Sequence, residues 1–236
     1  MDYRVRTTFK ADVGFKLNAS QVRNAADLTN KVLASLPASL YRSLDFKTSS
    51  AIVGSVFCDA LAAETGAIVN PIEKGHPDLV PAKAATASEA ELRNYASGLE
   101  VKSTIGNIEQ GANLRAGQTR VSRMTAITWQ AHHRDVEQLM GLTWDFAQAG
   151  DPFHPPGITG VFHSQVLVRA DWGEISGTTG RNTKVSAMRR SGKEKMAKGW
   201  VLLIDHDEYL KMFQKVLGIV VPAPPSLSGS SVKKPS

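Results

Sequence analysis

Three residues, Asp78, Glu100 and Lys102, have the types and spacing for metal-assisted phosphoryl chemistry. The run Gly75-His76-Pro77-Asp78-Leu79-Val80-Pro81 sets a Pro-Asp dipeptide 22 residues before the acid of Gly98-Leu99-Glu100-Val101-Lys102-Ser103-Thr104. Two carboxylates hold a hard divalent cation through oxygen. Side-chain direction in a strand repeats every second residue, so Lys102 points to the same side as Glu100. Its ammonium is then placed for the scissile phosphate or the attacking water. Metal and ammonium together offset the charge that grows on a pentacovalent transition state. The competing account is a surface Pro-Asp turn beside an exposed Glu100–Lys102 ion pair, because acid-x-Lys triplets are common.

The chain carries its own control. Asp45-Phe46-Lys47 is also acid-x-Lys, but it has no upstream Pro-Asp and reads as the start of a helix with surface side chains. Glu100 has strand context instead. Gly98 breaks the preceding helix, and Leu99, Val101 and Ile105 alternate. Ala67-Ile68-Val69 supplies a neighbouring strand upstream.

These residues resemble the PD-(D/E)XK nuclease superfamily, and among its members type II restriction endonucleases. The motif spans about a tenth of the chain; the rest of the likeness is layout. The resemblance implies Asp78 and Glu100 as Mg²⁺ ligands and Lys102 as the catalytic lysine. It also implies that a helix before the Pro-Asp sometimes lends a third acid to the metal site, for which Glu64 and Asp59 are the candidates. A solvated helix carboxylate is the alternative for both. The implied activity is Mg²⁺-dependent, sequence-specific cleavage of duplex DNA by a homodimer. A repair nicking enzyme or junction resolvase of the same fold is the near rival, and a non-catalytic DNA-binding protein the distant one.

Charge agrees with a polyanionic partner. The chain has a net charge of +6 and a pI near 9.5. Between Gly180 and Gly199 stand Arg181, Lys184, Arg189, Arg190, Lys193, Lys195 and Lys198, opposed only by Glu194. From Gln110 to Arg134 there are Arg115, Arg120, Arg123 and Arg134 and no carboxylate. Clustered cations displace counterions from a phosphate backbone, and arginine is the commonest reader of guanine. Arg115, Arg120, Arg123, Arg181, Arg189 and Arg190 form the pool for base contacts; Lys184, Lys193, Lys195 and Lys198 suit phosphates. The Gly180–Gly199 stretch, glycine-bounded with few apolar anchors, reads as a mobile loop. Solvated basic loops are the plain alternative.

Histidines come next. His132-His133 suits a metal or a general base. With no Cys or third His at zinc spacing, a zinc site is not expected. His76 either reaches the phosphate or water, or fills a turn.

The elements that must position these groups follow from periodicity. Ser20 reads as the cap of a helix with Val22, Ala25, Ala26, Val32, Leu33 and Leu36 inside, stopped by Pro37. Thr48 to Glu64 is the clearest helix, ended by Gly66. Ser88-Glu89-Ala90-Glu91 is a capping box for a short helix ending near Gly98. A Gly-rich loop, 106–117, precedes strand-like runs at 124–129, 138–146, 158–168 and 199–204. Asp205 with Glu208 reads as the cap of a last helix. Residues 222–236 read as a disordered tail. The fold class expected is α/β or α+β, a central mixed sheet flanked by helices, restriction-endonuclease-like, with 1–221 as a single nuclease domain. Trp129, Trp144 and Trp200 read as core. The single Cys58 reads as a buried structural thiol. No run is apolar enough to span a membrane and the N-terminal residues lack a signal-peptide core, so a cytoplasmic location is expected.

Overall fold

The computed structural model describes residues 1–106, 112–115, 119–121, 127–146, 155–176 and 184–220. The elements in chain order are β1 (Tyr3–Val5), β2 (Lys10–Asp12), β3 (Lys16–Asn18), α1 (Ala19–Ser35), α2 (Ala38–Ser43), α3 (Phe46–Thr65), β4 (Ile68–Val69), β5 (Leu79–Val80), α4 (Glu89–Leu92) and β6 (Glu100–Ile105). Then come β7 (Ala112–Arg115), β8 (Thr119–Val121), β9 (Gln130–Ala131), β10 (Leu139–Asp145), β11 (Gly157–Ser164), β12 (Ser186–Ala187), α5 (Arg190–Lys198), β13 (Trp200–Ile204) and α6 (Asp207–Leu217).

Five strands form one mixed sheet in the order β1-β13-β11-β10-β6. β6 and β10 run parallel, and the other pairs are antiparallel. Every residue of β10 and β11 is buried. Helices flank the sheet: α1 packs on β11 and β13, α3 on β6 and β10, α5 on β11, and α6 on β13. This is the mixed, helix-flanked α/β arrangement expected from the sequence.

Local chemistry sets the helix ends. Asn18, not Ser20, caps α1: its side chain accepts from Gln21 N while the Gln21 side chain accepts from Asn18 N, each at 3.0 Å. That reciprocal pair satisfies two orphan donors, which Ser20 inside the first turn does not. Asp45 caps α3 by accepting from Thr48 N at 2.8 Å, and Gly66 closes that helix in the left-handed region at φ 72°. The Ser88–Glu91 capping box forms, but α4 ends at Leu92. His206 rather than Asp205 caps α6.

Trp129 and Trp144 are buried as expected, while Trp200 is half-buried beneath the Arg6 guanidinium. Cys58 is a buried free thiol. Several expectations need correction. The strand read at 158–168 stops at Ser164, and Asp171 ends a short 3-10 turn. Residues 127–129 are not strand, and the stretch read as a Gly-rich loop contains β7, paired with β8. Residues 190–198 form a helix, not a loop. Its anchors are Gly192, Met196 and Ala197, all buried, together with an ion pair from Lys195 to the buried Asp171 at 2.6 Å. The tail 222–236 lies outside the described residues. Among the described residues, no helix is long and apolar enough to cross a membrane.

Candidate metal centre

The gap of 22 residues between Asp78 and Glu100 is closed by one antiparallel bridge. Leu79 N donates to Leu99 O at 3.0 Å, and Leu99 N donates to Leu79 O at 2.8 Å. In antiparallel register that pair sets Asp78 opposite Glu100. Gly98 makes the approach possible. Its φ is +149°, and a Cβ there would stand 2.2 Å from Leu79 O, so only glycine fits. Asn70 holds the other side of the turn, donating to Pro77 O at 3.1 Å and to Leu92 O at 2.8 Å.

β6 then presents Glu100 and Lys102 on one face, with Val101 between them in the core. α3 is fixed against this strand. Ser103 Oγ donates to Ser50 O at 2.6 Å, and Trp144 Nε1 donates to Ser50 Oγ at 2.8 Å.

Lys102 Nζ stands 2.6 Å from Glu100 Oε1 and 3.2 Å from Asp78 Oδ2. The contact with Oε1 is a close ion pair off the direction of a hydrogen bond, leaving that buried oxygen without an aligned donor among the described residues. Asp78 Oδ2 also accepts from Val101 N at 2.7 Å. His76 Nδ1 lies 3.3 Å from both Glu100 oxygens. His76 and His133 meet edge to face, ring centroids 4.3 Å apart. His76, Asp78 and Lys102 line an open cleft of about 450 Å³, whose wall also includes Ser55, Lys74 and His132.

The electrostatics are those of a compact charge cluster. Burial raises the Asp78 carboxyl, and the neighbouring Glu100 charge adds to this against the pull of Lys102. Burial acts to raise Glu100 as well, but the His76 hydrogen bond and the Lys102 ammonium outweigh it and hold Glu100 down at about 2. Burial would lower Lys102, yet its two carboxylates keep it raised. His76 is raised by its bond to Glu100. His133 is lowered, first by burial and then by His76.

These donors fit a hard dication. Two carboxylates, Glu100 buried and Asp78 partly exposed, meet one ammonium, and Glu100 keeps an oxygen with no aligned donor among the described residues. Asp78, Glu100 and Lys102 are thus brought together. Glu64 and Asp59 are not: Glu64 accepts from Asn24 of α1 at 2.9 Å, and Asp59 is exposed on α3 without joining the cluster. Asp45 is spent on capping α3, and Lys47 is exposed in its first turn.

The basic residues separate into distinct settings. Lys184 and Arg189 are exposed, Arg189 lying 3.9 Å from Glu174, and Arg190 pairs with Glu194 at 2.9 Å. Lys193 is half-buried on α5. Lys195, bound to Asp171 and to Val166 O, is structural rather than a free phosphate contact. Arg115 and Arg120 lie on the β7–β8 hairpin, and Arg123 and Arg181 fall outside the described residues.

The grouping of His76 with His133 around Glu100 was missed from the sequence. The histidines are 57 positions apart, and no spacing rule joins a turn before β5 to a loop after β9. Comparison with protein-family models, with curated proteins and with solved structures finds no match.

Proposed function

We propose that the protein is a Mg²⁺-dependent endodeoxyribonuclease that cuts duplex DNA at a fixed sequence, a type II restriction enzyme working as a homodimer. The observation that carries this reading is the convergence of Asp78 and Glu100 on one ammonium, Lys102, beside an open cleft at the edge of the sheet. Asp78 and Glu100 would hold the ion. When bound, that ion polarises the phosphate and makes water a stronger nucleophile. Lys102, released from one carboxylate, would turn its ammonium toward the phosphate oxygens. Exposed Lys184 and Arg189, with Arg190 beside them, supply positive charge for the duplex.

The test is incubation of the purified protein with phage DNA in Mg²⁺ or in chelator, followed by sequencing of the ends. Wild type should yield fragments with one recurrent end sequence, only in Mg²⁺. Asp78→Asn and Glu100→Gln should each cut at least about a thousandfold more slowly while still shifting duplex DNA in a gel. Undiminished cleavage by either variant would end the assignment.

A further inference from the structure

We propose that His76, His133 and Glu100 form a second cation site, one that takes a transition-metal dication of zinc type and shares Glu100 with the Mg²⁺ site.

The geometry comes first. One donor atom from each of His76, Glu100 and His133 lies within 4.8 Å of the others. His76 Nδ1 and the Glu100 oxygens are 3.3 Å apart. A tetrahedral ion with bonds of about 2.0–2.1 Å has ligand-to-ligand edges of about 3.3 Å. The hydrogen-bonded pair is therefore already at chelate spacing. His133 completes the set, and its Nε2 is buried with no hydrogen-bond partner among the described residues. An unpartnered buried ring nitrogen beside a carboxylate has chemical reason to take a cation.

Donor type then sets the class of ion. Two imidazoles and one carboxylate form a borderline-soft set, preferred by Zn²⁺ and its neighbours, whereas Mg²⁺ prefers oxygen alone. Three protein ligands leave a position open to water. Lys102 does not block the site: it stands on the Glu100 Oε1 side, toward Asp78. Glu100 Oε2 and the imidazoles remain for the ion.

Glu100 cannot serve both ions at full strength. An ion on the histidine side withdraws this carboxylate from Mg²⁺, so Zn²⁺ should oppose Mg²⁺. Binding of the ion stands on geometry alone; its effect on cleavage rests on the nuclease reading above.

The experiment uses Zn²⁺ in competition with a chromophoric chelator and Co²⁺ as a spectroscopic probe, on chelator-treated full-length protein. Wild type should bind one equivalent and give the intense visible bands of low-coordinate Co²⁺. His76→Asn and His133→Asn, shown folded by circular dichroism, should each weaken Zn²⁺ at least about tenfold. Asp78→Asn should keep Zn²⁺ affinity within about threefold. Millimolar Mg²⁺ should weaken Zn²⁺ binding in wild type and not in Asp78→Asn. Absence of Zn²⁺ binding in wild type, unchanged binding in either folded histidine variant, or an Asp78→Asn loss as large as theirs would overturn the site. Zn²⁺ bound as described in a protein that cuts no DNA in Mg²⁺ would support this site and refute the nuclease. Cleavage in Mg²⁺ without Zn²⁺ binding would do the reverse.

Discussion

Lys102→Met removes the ammonium that stands between the buried Glu100 carboxylate and the partly exposed Asp78 carboxylate. The triplet taken alone predicts a loss of rate with little change in fold, but the burial predicts a loss of stability as well. Breaking a buried ion pair by deleting one partner costs about 3–5 kcal/mol, because the other charge is left uncompensated. Here the protein has an escape, since one carboxylate takes up a proton. Neutralising a carboxyl of ordinary pKa at pH 7 costs about 4 kcal/mol, and less for Asp78, which is already raised. The expected penalty at pH 7 is therefore about 2–4 kcal/mol, or a melting point lower by roughly 4–16 °C. The sign with pH follows. In the variant the folded state binds a proton that the unfolded state does not, so stability falls as pH rises between the ordinary carboxylate value and the raised one. The deficit should thus be smaller at pH 5.5 than at pH 7. Mg²⁺ should restore part of it by replacing the lost charge. The assay is urea unfolding of wild type and variant at both pH values, with and without Mg²⁺. A variant within about 0.5 kcal/mol of wild type at pH 7, or a deficit that ignores pH, would refute the reasoning.

Two further outcomes are expected. Lys195→Met should cost about 1–3 kcal/mol by leaving the buried Asp171 carboxylate short of its ammonium, as read by urea midpoints, and should leave the salt slope of duplex binding unchanged. His163 is held down to about 4 by burial, so its folded state resists the proton that the unfolded chain accepts near 6.5. Stability should fall by about 3 kcal/mol as pH drops through that window, and His163→Phe, packing against Phe9, should remove that part of the slope in a pH series of thermal melts.

What was legible in the sequence was local. Periodicity located α3 and the strands β6, β10, β11 and β13 of the sheet but not its edge strand β1, and the Ser88 capping box and the Gly66 stop behaved as their chemistry requires. Asp78, Glu100 and Lys102 were legible because a strand period and one antiparallel bridge suffice to join them. The misread parts depend on partners distant in sequence. Gly180–Gly199 looked unanchored because its anchor for Lys195 is Asp171, on a separate turn. Glu64 looked available because Asn24, which claims it, belongs to α1. His76 and His133 looked ordinary because only the folded chain brings them to Glu100.

The pairing of β1 with β13 has a consequence for birth on the ribosome. Arg4 and Asp205, linked at 2.8 Å beside that pair, are 201 positions apart. At a synthesis rate of about 5–20 residues per second, β1 waits roughly 10–40 s for its partner. β6 and β10, at the opposite edge, are made well before then. The nascent chain therefore holds β6 and β10 while the other edge of the sheet is still open, and β1, a three-residue strand that carries Arg4, offers neighbouring chains only a short, charged edge in the interval.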